Sequence, residues 1–210
     1  MTAPLTFYTH PMSRGRVSRW MLEETGLPYD TVLLDYGSTM KAPEYLAINP
    51  MGKVPALKHG DMVITEQAAI CMYLADLVPE KKLAPPVGSP ARGSYYRWIS
   101  FMAPLEQLMV TKAIGGALPD ARMAGFGTEK DLLDTLEAAL KGHEYLAGDT
   151  FTAADLLAAA YVDWYLQFKL LEPRPAFIAF AERHQQRPAA LRAYAMEGAL
   201  LAQAANGNEK

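Results

Sequence analysis

A proline-rich stretch at residues 79–90, PEKKLAPPVGSP, divides the chain into two halves with different hydrophobic periods. It carries four prolines and no regular spacing of apolar residues, which is typical of a connection between domains. The residues before it alternate between strand-like and helix-like patterns, whereas those after it have helical spacing throughout. We therefore predict a first domain at residues 1–79, a linker at 80–90 and an all-helical second domain at 91–210.

The first half predicts a small mixed sheet with helices on its faces. LTFYT and YDTVLLDY have the character of strands, and KVPALKHGDMVIT is typical of a hairpin with its turn at residues 59–61. Residues 14–25 predict a helix that Gly26 would end, a short helix is expected near 43–48, and EQAAICMYLADLV predicts another. The order is strand, helix, strand, helix, strand, strand, helix, which indicates an α/β domain.

The second half predicts about five helices, an expectation that rests on apolar periodicity. Two of them begin with a threonine followed three positions later by an aspartate, the pattern of a helix-capping box. Two others begin with a proline, which suits a first helical turn because its missing N–H would have no partner there. These start signals are Thr128 with Asp131, Thr152 with Asp155, Pro175 and Pro188.

Composition argues against several function classes. The formal net charge of −3 does not supply the basic surface that a nucleic-acid binder needs. No apolar run approaches the ~18 residues of a membrane span, and the first residues lack the pattern of a signal peptide. Cys71 is the single cysteine, and the four histidines are scattered without metal-ligand spacing. We therefore expect a cytoplasmic protein with no metal, no nucleic-acid partner, no membrane partner and an inert Cys71 in its core.

Three stretches of the chain form specific motifs: NPMGKVPAL at residues 49–57, ITEQAAICMYLAD at 64–76 and FTAADL at 151–156. Together they resemble the cytosolic glutathione S-transferase family, and the resemblance extends over nearly the whole chain. It points to the bacterial serine-type, or beta/theta-like, members. It implies a thioredoxin-like first domain with the glutathione site and an all-α second domain with most of the second-substrate site. It also implies a homodimer that uses glutathione as co-substrate and needs no cofactor.

The resemblance assigns glutathione-binding roles to five residues. Val54-Pro55 would be a cis-proline turn at which the Val54 backbone pairs with the cysteinyl unit, although Pro55 could simply lie at a strand edge. Glu66 and Gln67 open a helix whose free N–H groups suit the γ-glutamyl carboxylate, and Glu66 could meet the α-ammonium. Alternatively, Glu66 only stabilises the helix start. Gln67 stands where the family usually has serine. Lys53 could pair with the glycyl carboxylate or be an ordinary surface lysine.

Ser13 lies in THPMSRGR, at the junction between the first strand and the first helix. By resemblance to serine-type members, its Oγ would donate a hydrogen bond to the glutathione sulfur and favour the thiolate. The co-substrate's thiol is then the nucleophile, so the serine needs no base of its own. Tyr8 is the alternative donor, and a backbone amide or a nearby arginine is a third. Ser13 could also act as a helix N-cap.

Candidates for the second-substrate pocket are Met12, Met102, Gln107, Met109 and Trp164. Methionine suits an adaptable apolar pocket, but a stripe of methionines and aromatic residues at helical spacing is more often part of a core. Met12 is the better candidate because it lies on the loop that carries Ser13.

The leading functional hypothesis is conjugation of the glutathione thiolate to electrophilic, moderately apolar small molecules, in the service of detoxification. One alternative is a glutathione-dependent isomerase, dehalogenase or peroxidase that uses the same site. Another is a non-catalytic protein that binds glutathione or has a regulatory role.

Overall fold

The computed structural model describes residues 3–117 and 120–207. The chain divides into two compact units, one formed by residues 3–81 together with 188–207 and the other by the described residues between 82 and 187. The predicted fold class is confirmed, because the first unit holds a mixed sheet with helices and the regular structure of the second is helical. Residues 208–210 of the predicted second domain lie outside the described residues.

A four-stranded mixed sheet forms the centre of the first unit. Its strands are β1 (Leu5–Thr9), β2 (Tyr29–Leu33), β3 (Ala56–His59) and β4 (Met62–Ile64), in the spatial order β2-β1-β3-β4. β1 runs parallel to β2 and antiparallel to β3, and β3 and β4 form the predicted hairpin. Alternate residues of β1 are buried, because successive side chains of a strand point to opposite faces of the sheet.

Three helices complete the predicted order of elements in this part of the chain. They are α1 (Gly15–Thr25), α2 (Pro43–Leu46) and α3 (Gln67–Leu77). α1 packs against α3 and buries Trp20 and Met21 completely. It ends at Gly26, whose left-handed φ of 68° lets its N–H donate to the Leu22 carbonyl. Cys71 in α3 is fully buried, and burial raises the pKa of its thiol, as expected of an unreactive core residue.

The helical unit contains α4 (Pro90–Ala113), α5 (Glu129–Leu140), α6 (Ala153–Gln167) and α7 (Pro175–Gln185). α6 packs against both α4 and α7. The predicted caps are present: the Thr128 hydroxyl accepts from the Asp131 N–H at 3.1 Å, and Thr152 and Asp155 form a reciprocal capping box at the start of α6. Sequence signals at helix starts were therefore accurate here, because a cap acts within one turn of chain.

The last helix, α8 (Pro188–Gly207), packs against α1 and belongs to the first unit. Arg19 and Glu197, which are 1% and 0% exposed, form a salt bridge between the two helices. The ring of Tyr194 lies 6.2 Å from that of Trp20. This grouping differs from the predicted boundaries, which assign all residues from 91 onward to the second domain. Apolar periodicity identified the helix but carries no information about the surface that the helix covers.

Candidate active site

The end of β1 brings two of the predicted site segments side by side. β1 ends at Thr9, and residues 10–14 connect it to α1. β3 pairs with β1 in a register that sets Tyr8 opposite Ala56. Because the two strands are antiparallel, the residues that precede β3 lie at the same edge of the sheet as the residues that follow β1. The turn before β3 therefore lies beside the loop that carries Ser13.

The Ser13 hydroxyl is held between this loop and the first turn of α1. Its Oγ donates to the His10 carbonyl at 2.6 Å and accepts from the N–H of Gly15, the first helical residue, at 3.0 Å. The N-cap position belongs to Arg14, whose side chain makes no capping hydrogen bond. Ser13 thus stabilises the helix start from one position earlier, with only 6% of its surface exposed.

Gly15 permits a close approach between the helix start and the end of β1. A Cβ atom at this position would lie 1.9 Å from Thr9 Oγ1 and 2.9 Å from Ser13 Oγ. The Thr9 side chain is itself fully buried, so it has little room to yield. The position of the Ser13 hydroxyl therefore requires glycine at residue 15.

The turn before β3 is fixed by a cis peptide bond and by buried donors. The bond between Val54 and Pro55 is cis, as predicted. The carbonyl of Lys53 accepts from the Tyr45 hydroxyl at 2.5 Å and from the Asn49 side-chain amide at 2.8 Å. Burial raises the pKa of Tyr45 to about 12, although Asn49 acts in the opposite direction, so its hydroxyl remains a donor at neutral pH.

The start of α3 is joined to the start of α1. Glu66 precedes α3 with φ 65° and ψ 115°, a conformation that is uncommon for a residue with a side chain. Backbone conformations of this kind cluster at functional sites. The Gln67 side-chain amide donates to the Arg14 carbonyl at 2.7 Å. This hydrogen bond joins the N-terminus of α3 to the N-terminus of α1.

Comparison with known proteins identifies the family to which this arrangement belongs. The family model for the glutathione S-transferase N-terminal domain matches residues 3–76, and that for the C-terminal domain matches residues 109–188. Glutathione S-transferase 3 of Zea mays is 37% identical over 166 residues, which cover 73% of this chain and 74% of the maize protein. The chain belongs to the glutathione S-transferase family.

Solved structures of glutathione transferases agree with this assignment. A glutathione S-transferase from Xylella fastidiosa is 31% identical with a TM-score of 0.77, and the match covers 92% of this chain and 98% of that one. A sphingomonad glutathione S-transferase complexed with glutathione is 27% identical with a TM-score of 0.70, over 92% and 98% of the two chains. The predicted family is confirmed.

Tyr8 and Lys53, two further candidates in this transferase, have different surroundings. The half-buried Tyr8 packs against an apolar cluster, with its ring 5.6 Å from that of Tyr45. The Lys53 side chain is exposed on the cis-proline turn. A second lysine, Lys41, donates to the carbonyls of Met51 and Gly52 at 2.9 and 3.0 Å, and so braces the same turn.

The candidates for the transferase's second-substrate pocket differ in exposure. Met12 is 64% exposed on the Ser13 loop. On α4, Met102 and Met109 are buried at 3% and 0% exposed, and Gln107 is exposed. Trp164 on α6 is half-buried. Of these five residues, Met12 alone shares the Ser13 loop.

Tyr36 is a residue near Ser13 that sequence reasoning missed, because it was included in a predicted strand over residues 29–36. β2 ends at Leu33, so Tyr36 lies in the following loop and is 56% exposed. Its hydroxyl lies 3.5 Å from the Met12 carbonyl. In the sequence, Gly37 could have indicated this loop, because glycine readily adopts the positive φ that extended strands do not have. Its φ in the structure is 75°.

Metal and membrane sites were also sought. Within residues 3–117 and 120–207, no group of three or more His, Cys, Asp or Glu side chains could hold a metal ion. Among the helices described, none is long and apolar enough to cross a membrane.

Proposed function

We propose that this protein joins the thiolate of glutathione to electrophilic, moderately apolar small molecules, with Ser13 as hydrogen-bond donor to the sulfur. The observation that carries the proposal is the buried Ser13 hydroxyl, fixed by the His10 carbonyl and the Gly15 N–H at the start of α1. Membership of the glutathione S-transferase family supports glutathione as the co-substrate.

Activation of the thiol follows from the charge of its two protonation states. A free thiol has a pKa of about 8.5, and a helix N-terminus lowers it because the partial positive charge favours the thiolate. A hydroxyl that donates to the sulfur adds to this preference, since the thiolate accepts hydrogen bonds more strongly than the thiol. For this, Ser13 turns its proton from the His10 carbonyl to the sulfur while its oxygen continues to accept from Gly15.

The remaining contacts hold the tripeptide around its sulfur. The backbone of Val54, before cis Pro55, pairs with the cysteinyl unit. The N-terminal turn of α3, with Gln67, receives the γ-glutamyl carboxylate, and Glu66 receives the α-ammonium. Lys53 pairs with the glycyl carboxylate from the exposed side of the turn.

The reaction needs no covalent bond to the protein. A lone pair of the thiolate sulfur forms the new bond to the electrophilic carbon. In a substitution, the leaving group departs with its electron pair. In an addition, the electron pair moves onto the acceptor and solvent supplies the proton. Ser13 keeps its own proton throughout and only donates a hydrogen bond.

The second substrate would approach over Met12, whose exposed and polarisable side chain suits varied apolar groups. In this proposal the protein is a homodimer, acts in the cytoplasm and has a role in detoxification.

The test compares the wild-type protein with Ser13→Ala and a matched control. Ser18 lies in α1, is fully buried, and its hydroxyl has no hydrogen-bond partner in the described part of the chain, so Ser18→Ala removes a buried serine hydroxyl that has no role in the proposal. With glutathione and a dinitrohaloarene, we expect Ser13→Ala to lower kcat/KM roughly a hundred-fold and Ser18→Ala to resemble wild type. The ultraviolet absorbance of the bound thiolate should titrate at higher pH in Ser13→Ala.

Three results would each contradict a part of the proposal. Unchanged turnover and an unchanged thiol pKa in Ser13→Ala would remove Ser13 from the mechanism. Binding to immobilised glutathione without turnover of an electrophile, hydroperoxide or haloacid would leave a binding protein instead of an enzyme. Light scattering that gives the mass of a single chain would exclude the homodimer.

A further inference from the structure

The Ser13 hydroxyl has one proton to donate and two lone pairs that accept. In this structure the proton is directed at the His10 carbonyl, 2.6 Å away, and one lone pair receives the Gly15 N–H at 3.0 Å. Donation to a sulfur therefore requires Ser13 to give up its bond to His10. The second lone pair can then accept from another donor, which would stabilise the oxygen in its new orientation.

Tyr36 is the donor whose position fits this requirement. Its hydroxyl lies 3.5 Å from the Met12 carbonyl, one residue before Ser13. Its ring lies 4.6 Å from the His10 ring, and Nδ1 of His10 accepts the Met12 N–H at 3.0 Å. Tyr36 thus packs on a loop whose conformation is fixed by its own hydrogen bonds.

The ionisation of Tyr36 is influenced by the same loop. Partial burial raises the pKa of the phenol, while the charge of Arg14 and a hydrogen bond with the Ser13 side chain act to lower it. Burial has the larger effect, so the phenol keeps its proton at neutral pH and remains a donor. Arg14 contributes a nearby charge, and the titratable ring of His10 lies against the phenol.

We propose that Tyr36 is a positioning residue of the thiol site, whose phenol donates to Ser13 Oγ when Ser13 turns its own proton to the glutathione sulfur. This inference rests on the proposed function. Accepting a hydrogen bond makes a hydroxyl a stronger donor, because hydrogen bonds in a chain polarise one another. Tyr36 therefore acts on the sulfur through Ser13, and its effect disappears when Ser13 is absent.

The experiment is a double-mutant cycle of Tyr36→Phe and Ser13→Ala, with two readouts. These are kcat/KM for a dinitrohaloarene and the pKa of bound glutathione, followed by the absorbance of the thiolate. Tyr36→Phe keeps the ring against His10 and removes only the hydroxyl. In the wild-type background we expect kcat/KM to fall roughly five-fold and the thiol pKa to rise. In the Ser13→Ala background we expect neither quantity to change.

A matched control removes a different tyrosine hydroxyl from the same unit. The hydroxyl of Tyr73 lies 2.7 Å from His59 Nδ1, so Tyr73→Phe also deletes one hydrogen bond of a half-buried phenol. It should leave the thiol pKa at its wild-type value.

Three outcomes would overturn the inference. Tyr36→Phe could match wild type, it could cause the same loss in the Ser13→Ala background, or it could raise only the KM for the electrophile. The last result would make Tyr36 a part of the second-substrate surface. Failure of the proposed function is distinguishable, because the wild-type protein itself would then show no turnover or Ser13→Ala would be fully active.

Discussion

The salt bridge between Arg19 and Glu197 should be among the most sensitive points of the first unit. Arg19 Nε donates to Glu197 Oε1, and its Nη1 donates to the hydroxyls of Tyr29 and Thr31 at 3.2 and 3.3 Å. Burial acts to lower the pKa of Arg19, but the hydrogen bond and charge of Glu197 outweigh it and raise the pKa. The guanidinium therefore stays charged while it is only 1% exposed.

Glu197→Leu would leave this buried cation with two neutral acceptors and no counter-charge. Breaking one partner out of a buried ion pair costs about 3–5 kcal/mol, because the remaining charge loses both water and its partner. We expect a loss of that size in the free energy of unfolding, measured by urea denaturation with circular dichroism. The double variant Arg19→Met with Glu197→Leu should recover most of it, since apolar residues of similar volume often replace such a pair without loss.

An exposed ion pair between the same two helices provides the control. Arg192 Nε lies 2.9 Å from Glu23 Oε2, and the Arg192 side chain is 55% exposed. Arg192→Leu should therefore cost no more than about 1 kcal/mol. If Glu197→Leu costs equally little, or if the double variant is less stable than Glu197→Leu alone, the reasoning about this buried pair is refuted.

Three further predictions address the site and the helical unit. Gly15→Ala should destabilise the protein by about 1–3 kcal/mol and lower kcat/KM, because the added methyl group meets Thr9 Oγ1 at 1.9 Å; wild-type values for both would disprove the close approach. Gln67→Ala should raise the KM for glutathione more than it lowers kcat, since the amide joins α3 to the start of α1; an effect on kcat alone would contradict this. His184 is 3% exposed, and burial, with the charge of Arg183, lowers its pKa from 6.5 to about 4. Between these values the unfolded chain binds a proton that the folded one does not, so the free energy of unfolding falls as the pH falls from about 6.5 to about 4, by up to roughly 3 kcal/mol. In urea denaturation at a series of pH values, His184→Phe should make the free energy of unfolding less dependent on pH in this range. An unchanged pH dependence would show that His184 is not buried in neutral form.

The parts of the fold that the sequence predicted depend on interactions within a few residues. The caps at Thr128 and Thr152, the β3–β4 hairpin and the first residue of α7 follow from local chemistry, and the structure has them where expected. The strand over residues 29–36 was predicted three residues too long, because Leu34 is apolar and buried although it lies beyond β2. A buried apolar residue in the loop after a strand gives the same hydrophobic pattern in the sequence as one more residue of that strand.

α8 belongs to the first unit, and the salt bridge that links it to α1 joins Arg19 and Glu197, which are 178 positions apart in the sequence. A glutamate in a helix is normally an exposed residue, and only the facing Arg19 makes Glu197 a buried one. The hydrogen bonds of Ser13 are equally beyond a sequence pattern. The sequence placed a hydroxyl at the junction of β1 and α1, but the direction of its proton is determined by the His10 carbonyl.

The position of α8 has a consequence for how the protein is made. A ribosome releases β1, α1 and the rest of the sheet long before it releases the helix that covers Arg19 and Trp20. During that interval the nascent first unit exposes a charged and aromatic surface that its own later sequence must cover. We expect the first unit to reach its final stability only after translation has passed residue 197, when Glu197 can pair with Arg19. A stop codon between α7 and α8 would thus damage the sheet-bearing unit, at the opposite end of the sequence from the missing residues.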